Sequence, residues 1–407
     1  MTGLPLRIEH GSPPHWVIRA LWAAGTIAFV LYIPTKTQTG TILDMTLAFQ
    51  LAVAALSLNL VMGYGGIVSL GHSAFFGLGG YTSAVLIDKY GWSQGWTVYV
   101  SVLLGFAVGC VVSLPALRLR GVYLALVTLG VAVLFPTLIV WRKLAWLTQG
   151  ARGINSIAYK DIPNWPLFPE LRKNADDRAV FMYWLTVIAL VLSYLVCRGI
   201  VKSRVGRSLV AIRDNHTAAA VMGVNLARTT TLVFGVSAAM CALVGSLFAI
   251  GGNLASPGLR NFTLIGSITF VLVMVLGGAA TLWGPIVGAI VYVYLETTTR
   301  EAGAASGADK GALANITDWL FGWLTGSPAS LILAIVLLIM MFVAPFGIVG
   351  LLRRLAAHVV HIVPSPPGGG SSVQPAGATE PDVEFVPADP FDPGPSNTGP
   401  SITGGDP

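Results

Sequence analysis

Ten stretches of mostly apolar residues follow one another along this chain, at 16–35, 42–62, 67–87, 97–117, 121–141, 181–200, 229–251, 262–282, 284–300 and 329–352. Each meets or approaches the roughly 20 residues that a helix needs to cross a hydrocarbon core, where no backbone N–H or C=O group can be left unpaired. The expected fold is an all-α integral membrane protein with about 10 transmembrane helices, within a range of roughly 8 to 11. The segments at 67–87 and 284–300 are the weakest, being glycine-rich or short, and each is compatible with a broken or re-entrant helix. The run from Trp16 to Pro34 is of span length and lacks a small-residue cleavage site, so it reads as the first span and not as a signal peptide. Composition agrees: 54% of the 407 residues are apolar and 10% are charged, where a soluble domain carries about 25% charged residues. A water-soluble enzyme is excluded.

Charge divides the chain. The formal charge is +6, and the stretch from Pro364 to Pro407 holds six acidic residues and no Lys or Arg, which leaves +12 on residues 1–363. Such a body suits anionic lipid headgroups, and no basic patch interleaved with aromatics points to nucleic acid. The densest cationic segment is RGIVKSRVGRSLVAIRDNHTAAAVMGVNLAR, Arg198 to Arg228, with six Lys/Arg against the single Asp214. The positive-inside rule puts this loop in the cytoplasm, together with Arg118, Arg120, Arg353 and Arg354, and an even number of spans then leaves both termini cytoplasmic. Within the loop, Arg207 to Met222 reads as one or two short amphipathic helices, with Leu209, Ile212, Ala219 and Met222 as apolar positions and Gly206 and Gly223 as end signals. The polar stretch from Arg142 to Arg178 carries seven Lys/Arg on the opposite side. Its acidic residues Asp161, Glu170, Asp176 and Asp177, and its PNWPLFP run, read as an ordered external cap. The resulting division is a cytoplasmic segment 1–15, a membrane body 16–363 with a cap at 142–180 and a cytoplasmic loop at 198–228, and a disordered acidic Pro/Gly-rich tail 364–407.

Several chemistries are missing. There is no G-x-x-x-x-G-K-[S/T] loop to cradle a nucleotide, and no H-E-x-x-H or spaced Cys/His set to hold a metal. Cys110, Cys197 and Cys241 all fall in or beside apolar segments and read as small core residues. Arg19, Asp44, Asp88 and Glu296 lie within a turn or two of span ends, so carboxylates of the kind that couple a carrier to an ion gradient are not in evidence at mid-membrane. The densest polar and small-residue run is SLNLVMGYGGIVSLGHSAFFGLGGY, Ser57 to Tyr81. Asn59, Ser69, His72 and Ser73 offer hydrogen bonds there, and Gly65, Gly66 and Gly71 permit a break or close helix contact. Two readings stand: an element of a translocation path or gate, and plain tight helix packing of the kind that Gly105/Gly109 and Gly284/Gly288 also suggest. His72, without a carboxylate in view, reads first as a packing histidine and second as a proton relay. VMGYGGIVSL (61–70) and VMVLGGAATL (273–282) share V-M-x-x-G-G-x-x-[S/T]-L, which aligns Gly65 and Gly66 with Gly277 and Gly278. An internal repeat and a chance match of two Gly-Gly turns both explain the echo.

Four stretches carry a family resemblance: LNLVMGYGGIVSLGHSAFFGLGGYTSAVL, LRGVYLALVTLG, GRSLVAIRDNHTAAAVMGVNLAR and SPGLRNFTLIGSITFVLVMVLGGAATLWGPIVGA. In order and spacing, over roughly residues 40 to 350, they resemble the permease of branched-chain amino-acid ABC importers, the longer of its two related permeases. The resemblance implies an ABC importer permease fold in a bacterial inner membrane and half of a translocation pathway. It implies a second related permease, two cytoplasmic ABC ATPases and an extracytoplasmic solute-binding protein as partners, with ATP bound by the ATPases and no cofactor or metal in this chain. It assigns the loop residues Gly206, Arg207, Ile212, Arg213, Asp214, Ala218, Ala219, Ala220, Met222, Gly223 and Asn225 to coupling with an ATPase. The acidic residue often found at the start of the alanine run is absent here, and Asp214 is the available substitute. Branched-chain amino acids are the default substrate; urea, short amides or other amino acids are the alternatives within the class. A stand-alone carrier and a membrane-embedded enzyme acting through the cap are the rival classes.

Overall fold

The computed structural model describes residues 38–119, 121–155 and 177–304, together with 6–9, 30–34, 347–351, 360–363 and the single positions 25, 28, 157, 335, 338 and 354. The expected spans at 16–35 and 329–352 therefore lie largely outside the described residues, as do half of the cap and all of the tail. The helices are α1 Thr39–Leu58, α2 His72–Tyr90, α3 Gln94–Arg118, α4 Val122–Val140, α5 Ala145–Thr148, α6 Asp177–Lys202, α7 Arg204–Asp214, α8 His216–Val221, α9 Leu226–Gly251, α10 Leu264–Gly277 and α11 Gly284–Ala304.

Five stretches among the described residues are long and apolar enough to cross a membrane: Thr39–Tyr64, Gln94–Pro115, Tyr123–Val140, Arg178–Lys202 and Leu226–Gly251. The 14 residues of α10 are fewer than a span requires, since at about 1.5 Å per residue they reach roughly 21 Å against a core of about 30 Å. The helix expected at 67–87 starts five residues later and runs without interruption from His72 to Tyr90. α1 widens into a π-helical turn at Asn59–Tyr64, the chain is non-helical from 65 to 71, and α2 starts at His72. The segment at 284–300 is likewise one unbroken helix within α11.

Lipid tails are as apolar as leucine, so helices in a bilayer associate by close van der Waals fit and hydrogen bonds, which favours small residues at the contacts. α9 occupies the centre on this principle, packed against α1, α2 and α3. A Cβ on Gly79 of α2 would strike Ala242, and one on Gly245 of α9 would strike the Phe76 backbone. α9 also receives Gly105 and Gly109 of α3, whose Cβ positions lie 2.5 Å from the side chains of Ala242 and Ala238. Burial follows: 83% of the apolar windows of α1 and α9 is buried, against 28% and 22% for α3 and α4, which turn Leu103, Phe106, Leu126 and Leu134 outward.

At the end of α9 away from Leu226, Phe76, Tyr81, Phe248, Phe262 and Phe270 interlock at ring separations of 5.4–6.0 Å. The beginning of the expected cap is tied to this end. β2 (Ile154–Asn155) pairs antiparallel with β3 (Leu254–Ala255), just beyond α9. Tyr183 of α6 donates to the Val30 carbonyl at 2.9 Å, which holds the helical piece at 30–34 near the same end. A parallel pair, β1 (Leu6–Glu9) with β4 (Val360–Val363), brings the segment before the body beside the body's last residues.

Candidate functional site

The cationic loop folds as two helices set off by side-chain caps. Ser203 opens α7, its Oγ accepting from the Val205 N–H at 3.1 Å; Asn215 opens α8, accepting from Thr217 and Ala218 at 3.1 and 3.0 Å; Asn225 opens α9, accepting from Arg228 at 2.9 Å. These short polar side chains take up N–H groups that the first turn of a helix leaves unpaired. Gly206 is required where α7 leaves α6, because a Cβ there would collide with the carbonyls of Ile200 and Val201. Leu209, Ile212 and Ala219 turn inward and are buried, while Arg207, Asp214, Ala218 and Ala220 face out. Met222, grouped by sequence with the apolar positions, is 84% exposed beside Val221 at 82%. The reason is local. α8 ends at Val221 with Met222 as its cap, still bonded to the Ala218 carbonyl at 3.0 Å, and the chain turns at Gly223, whose φ is +82°, so the last two side chains of the short helix stand clear of the body. The pair thus forms an apolar tip on a cationic element. Asp214 is the last residue of α7, and Asn215 occupies the start of α8 where an acid was sought.

Arg213, its side chain 45% exposed, reaches back to the edge of the body. Its Nη1 donates to the Gly63 carbonyl at 2.9 Å, and its Cγ lies where a Cβ on Gly66 would be, 2.7 Å away. Gly66, at φ +66°, makes the turn with which the first helix break begins. The second member of the sequence echo lies directly against the first. The Asn59 amide donates to the Thr281 carbonyl and accepts from the Ala280 N–H, both at 2.8 Å. Gly278 (φ +119°) and Ala280 (φ +56°) form that second turn, and Gly277 packs on Gly284 so closely that no Cβ fits. Gly65 abuts Leu209 of α7, and Gly71 abuts the Thr128 carbonyl of α4.

Beside the first break runs a buried polar chain. Ser237 Oγ donates to the Ser57 carbonyl at 2.7 Å, so His72 Nε2–H donates to Ser237 at 2.8 Å and His72 Nδ1 accepts from Ser69 at 3.1 Å. Ser267 of α10 accepts from the Ser73 N–H and donates to Ser73 Oγ, at 2.9 and 2.7 Å, and Thr128 accepts from the Leu70 N–H at 3.0 Å. Within the non-helical stretch from 65 to 71, the Gly66 and Ile67 N–H groups bond back to the Met62 and Val61 carbonyls at 3.1 and 3.2 Å, and the Leu70 N–H goes to a hydroxyl of a neighbouring helix, pairing that the membrane interior demands. Asn59, Ser69, His72 and Ser73 are all buried and hydrogen-bonded, and none lines a cavity of ≈ 370 Å³ in the body.

That cavity lies at the far end of α1, between Thr39, Thr46, Gln50, Arg178, Met182 and Phe248. Near the same end, Arg260 forms a two-pronged pair with Glu296 at 2.8 and 3.0 Å and reaches Tyr292 at 3.3 Å. Burial pulls the guanidinium pKa down, but the carboxylate outweighs it and the group lies above the ordinary arginine value. Sequence reading placed Glu296 near a span end and missed its partner, since nothing local links positions 36 apart. It also missed Val221 and the Asn59 bonds to the second turn. The capping asparagines were legible in principle, each standing immediately before a helical run.

A bundle of apolar helices packed through glycine, broken at two facing turns and carrying a capped cationic helix pair, is the architecture of a multi-pass membrane permease. The family described as "Branched-chain amino acid transport system / permease component" matches residues 40–344, and the chain belongs to it. It is similar to the high-affinity branched-chain amino acid transport system permease protein LivM of Escherichia coli (strain K12), 28% identical over 299 residues that cover 70% of this chain and 69% of that protein. The LivM protein of Salmonella typhimurium is 26% identical over 317 residues, covering 72% and 74%. The permease protein LivH of E. coli (strain K12) is 21% identical over 266 residues, covering 61% and 80%. No solved structure matches.

Proposed function

We propose that the chain is the membrane-spanning permease subunit of an ATP-driven importer in a bacterial inner membrane, forming half of the pathway for branched-chain or related hydrophobic amino acids. Two cytoplasmic ATPases, a second permease of the LivH kind and an extracytoplasmic binding protein complete it. The observation that carries this reading is the capped helix pair α7–α8. Its inner face is locked to the body by Leu209, Ile212 and Arg213, and its exposed tip, Val221 and Met222, presents apolar surface that water disfavours and a protein groove would cover. Closure of an ATPase on that tip would push the pair against the break at Gly63–Gly66. The chain itself performs no bond chemistry. The pairing of β1 with β4 supports placing residues 6–9 and 360–363 on one side, the cytoplasmic side in this reading. Residues 364–407 serve as a dispensable tail.

The test is purification of the tagged full-length chain from its native membrane in mild detergent, followed by mass spectrometry and reconstitution. Co-purification of two ATPases and a second permease, with ATP-dependent uptake of leucine in the presence of the binding protein, is the expected result. Recovery of the chain alone, under conditions that keep a known importer intact, would overturn it. Uptake of urea or short amides in place of leucine would keep the class and change the substrate.

A further inference from the structure

We propose that Asn59 is a positioning residue that makes the two glycine breaks move as one body when α7 moves. This rests on the coupling role given above to α7 and α8. The sequence echo, V-M-x-x-G-G-x-x-[S/T]-L at 61–70 and 273–282, becomes a spatial pair in the fold. A helix break frees backbone groups that a continuous helix would pair, and at membrane depth each needs a partner. Here a single side chain serves both turns. Asn59, fully buried at the start of the π-helical turn that follows α1, gives its N–H to Thr281 and takes the N–H of Ala280.

Ala280 holds a positive φ that alanine disfavours, so its turn persists because its surroundings fix it, and the Asn59 bond is one of those constraints. The contact is also close in backbone terms. A Cβ on Gly63 would meet both the Asn59 side chain and the Ala280 nitrogen, the latter at 2.7 Å, so no side chain separates the two breaks. Arg213 grips the other edge of the same residue through the Gly63 carbonyl. The chain of contacts runs from Arg213 to Gly63, from the first break through Asn59 to Ala280, and on to Gly278. Gly278 in turn touches Gly347, so the described piece at 347–351 joins the same unit. A displacement of α7 that drags Gly63 would therefore move both turns together. Without the amide it moves the first alone, and hydrolysis proceeds without opening the path.

The decisive quantity is the number of ATP molecules hydrolysed per leucine taken up by the reconstituted full complex. Asn59→Ala, Arg213→Ala and the double variant are compared with the parent. Serial transmission predicts a ratio raised about tenfold in each single variant with ATP hydrolysis within about twofold, and a double variant no worse than the worse single one. A ratio unchanged in Asn59→Ala, or defects that multiply in the double variant, would overturn the inference. Should Asn59→Ala fail to accumulate, hydrogen exchange on the full-length Arg213→Ala chain decides instead. The amides of 277–284 should exchange about tenfold faster than in the parent, and unchanged exchange there would sink the idea. A parent complex with no ATP-dependent uptake at all would strike the permease reading; a coupled parent with indifferent variants strikes only the role of Asn59.

Discussion

Glycine has opposite consequences at different residues of this chain, and local geometry says which. At Gly245 a methyl group would be driven into the Phe76 backbone, which can yield only if α2 and α9 part. Gly245→Ala should therefore lower stability by about 3 kcal/mol, the upper end for overpacking, seen as a lower unfolding temperature in detergent. Gly130, inside α4 with nothing within 4 Å of its absent Cβ, should accept alanine with no loss, and a matching loss there would refute the packing argument. The Arg260–Glu296 pair makes a second prediction at this scale. The Glu296 side chain is 10% exposed and the Arg260 side chain 41%. Arg260→Ala strands a buried carboxylate and should cost about 2 kcal/mol, less than the 3–5 kcal/mol of a fully buried pair because water reaches the guanidinium. Glu296→Gln, which keeps an acceptor and removes the buried charge, should cost less. Equal losses in the two variants would show that shape, not charge, matters there.

The helix pair α7–α8 is the element on which coupling depends. Gly223→Val places a branched side chain at φ +82° and should deflect the tip, while Met222→Glu should leave its backbone in place and change only what the tip offers. Both should reduce uptake at least about tenfold, equivalent to about 1.4 kcal/mol of coupling, with unchanged amounts of protein in the membrane. Normal uptake in both would remove the tip from the mechanism. How much of these elements was legible in sequence depends on the range of the interactions that set them. The long apolar runs of α1, α3, α4, α6 and α9 and the amphipathic loop announce themselves, because their signal lies within one window of residues. The break at 65–71 largely coincides with the gap between the expected spans 42–62 and 67–87, the second read as glycine-rich and compatible with a broken or re-entrant helix, and the short α10 was expected as a full span at 262–282. Their lengths depend on hydroxyls of Thr128 and Ser267 that receive the broken backbone from remote parts of the chain. For the same reason His72 was found by sequence while its partner Ser237, 165 positions away, was not.

The whole molecule has a direction. One end holds both glycine turns and the helix pair; the other holds the aromatic cluster, the cavity and the β2–β3 tie. If the first end faces the cytoplasm, Thr217→Cys on the exposed side of α8 should react with a membrane-impermeant thiol reagent only when the cytoplasmic side is opened. Background is low, since Cys197 and Cys241 are buried and Cys110 is partly so. Labelling from the outer side of sealed vesicles would invert the topology.

The joining of the two breaks also sets an order of events at birth. Asn59 is made and inserted 221 positions before Ala280, the residue whose N–H it receives. At 5–20 residues per second, roughly 10–45 s of synthesis separate them. Through that interval a polar amide sits at the end of an apolar span without its final partners, a cost of a few kcal/mol in hydrocarbon. The nascent first half must therefore keep this end near water, or near other protein, until the second half arrives and closes it.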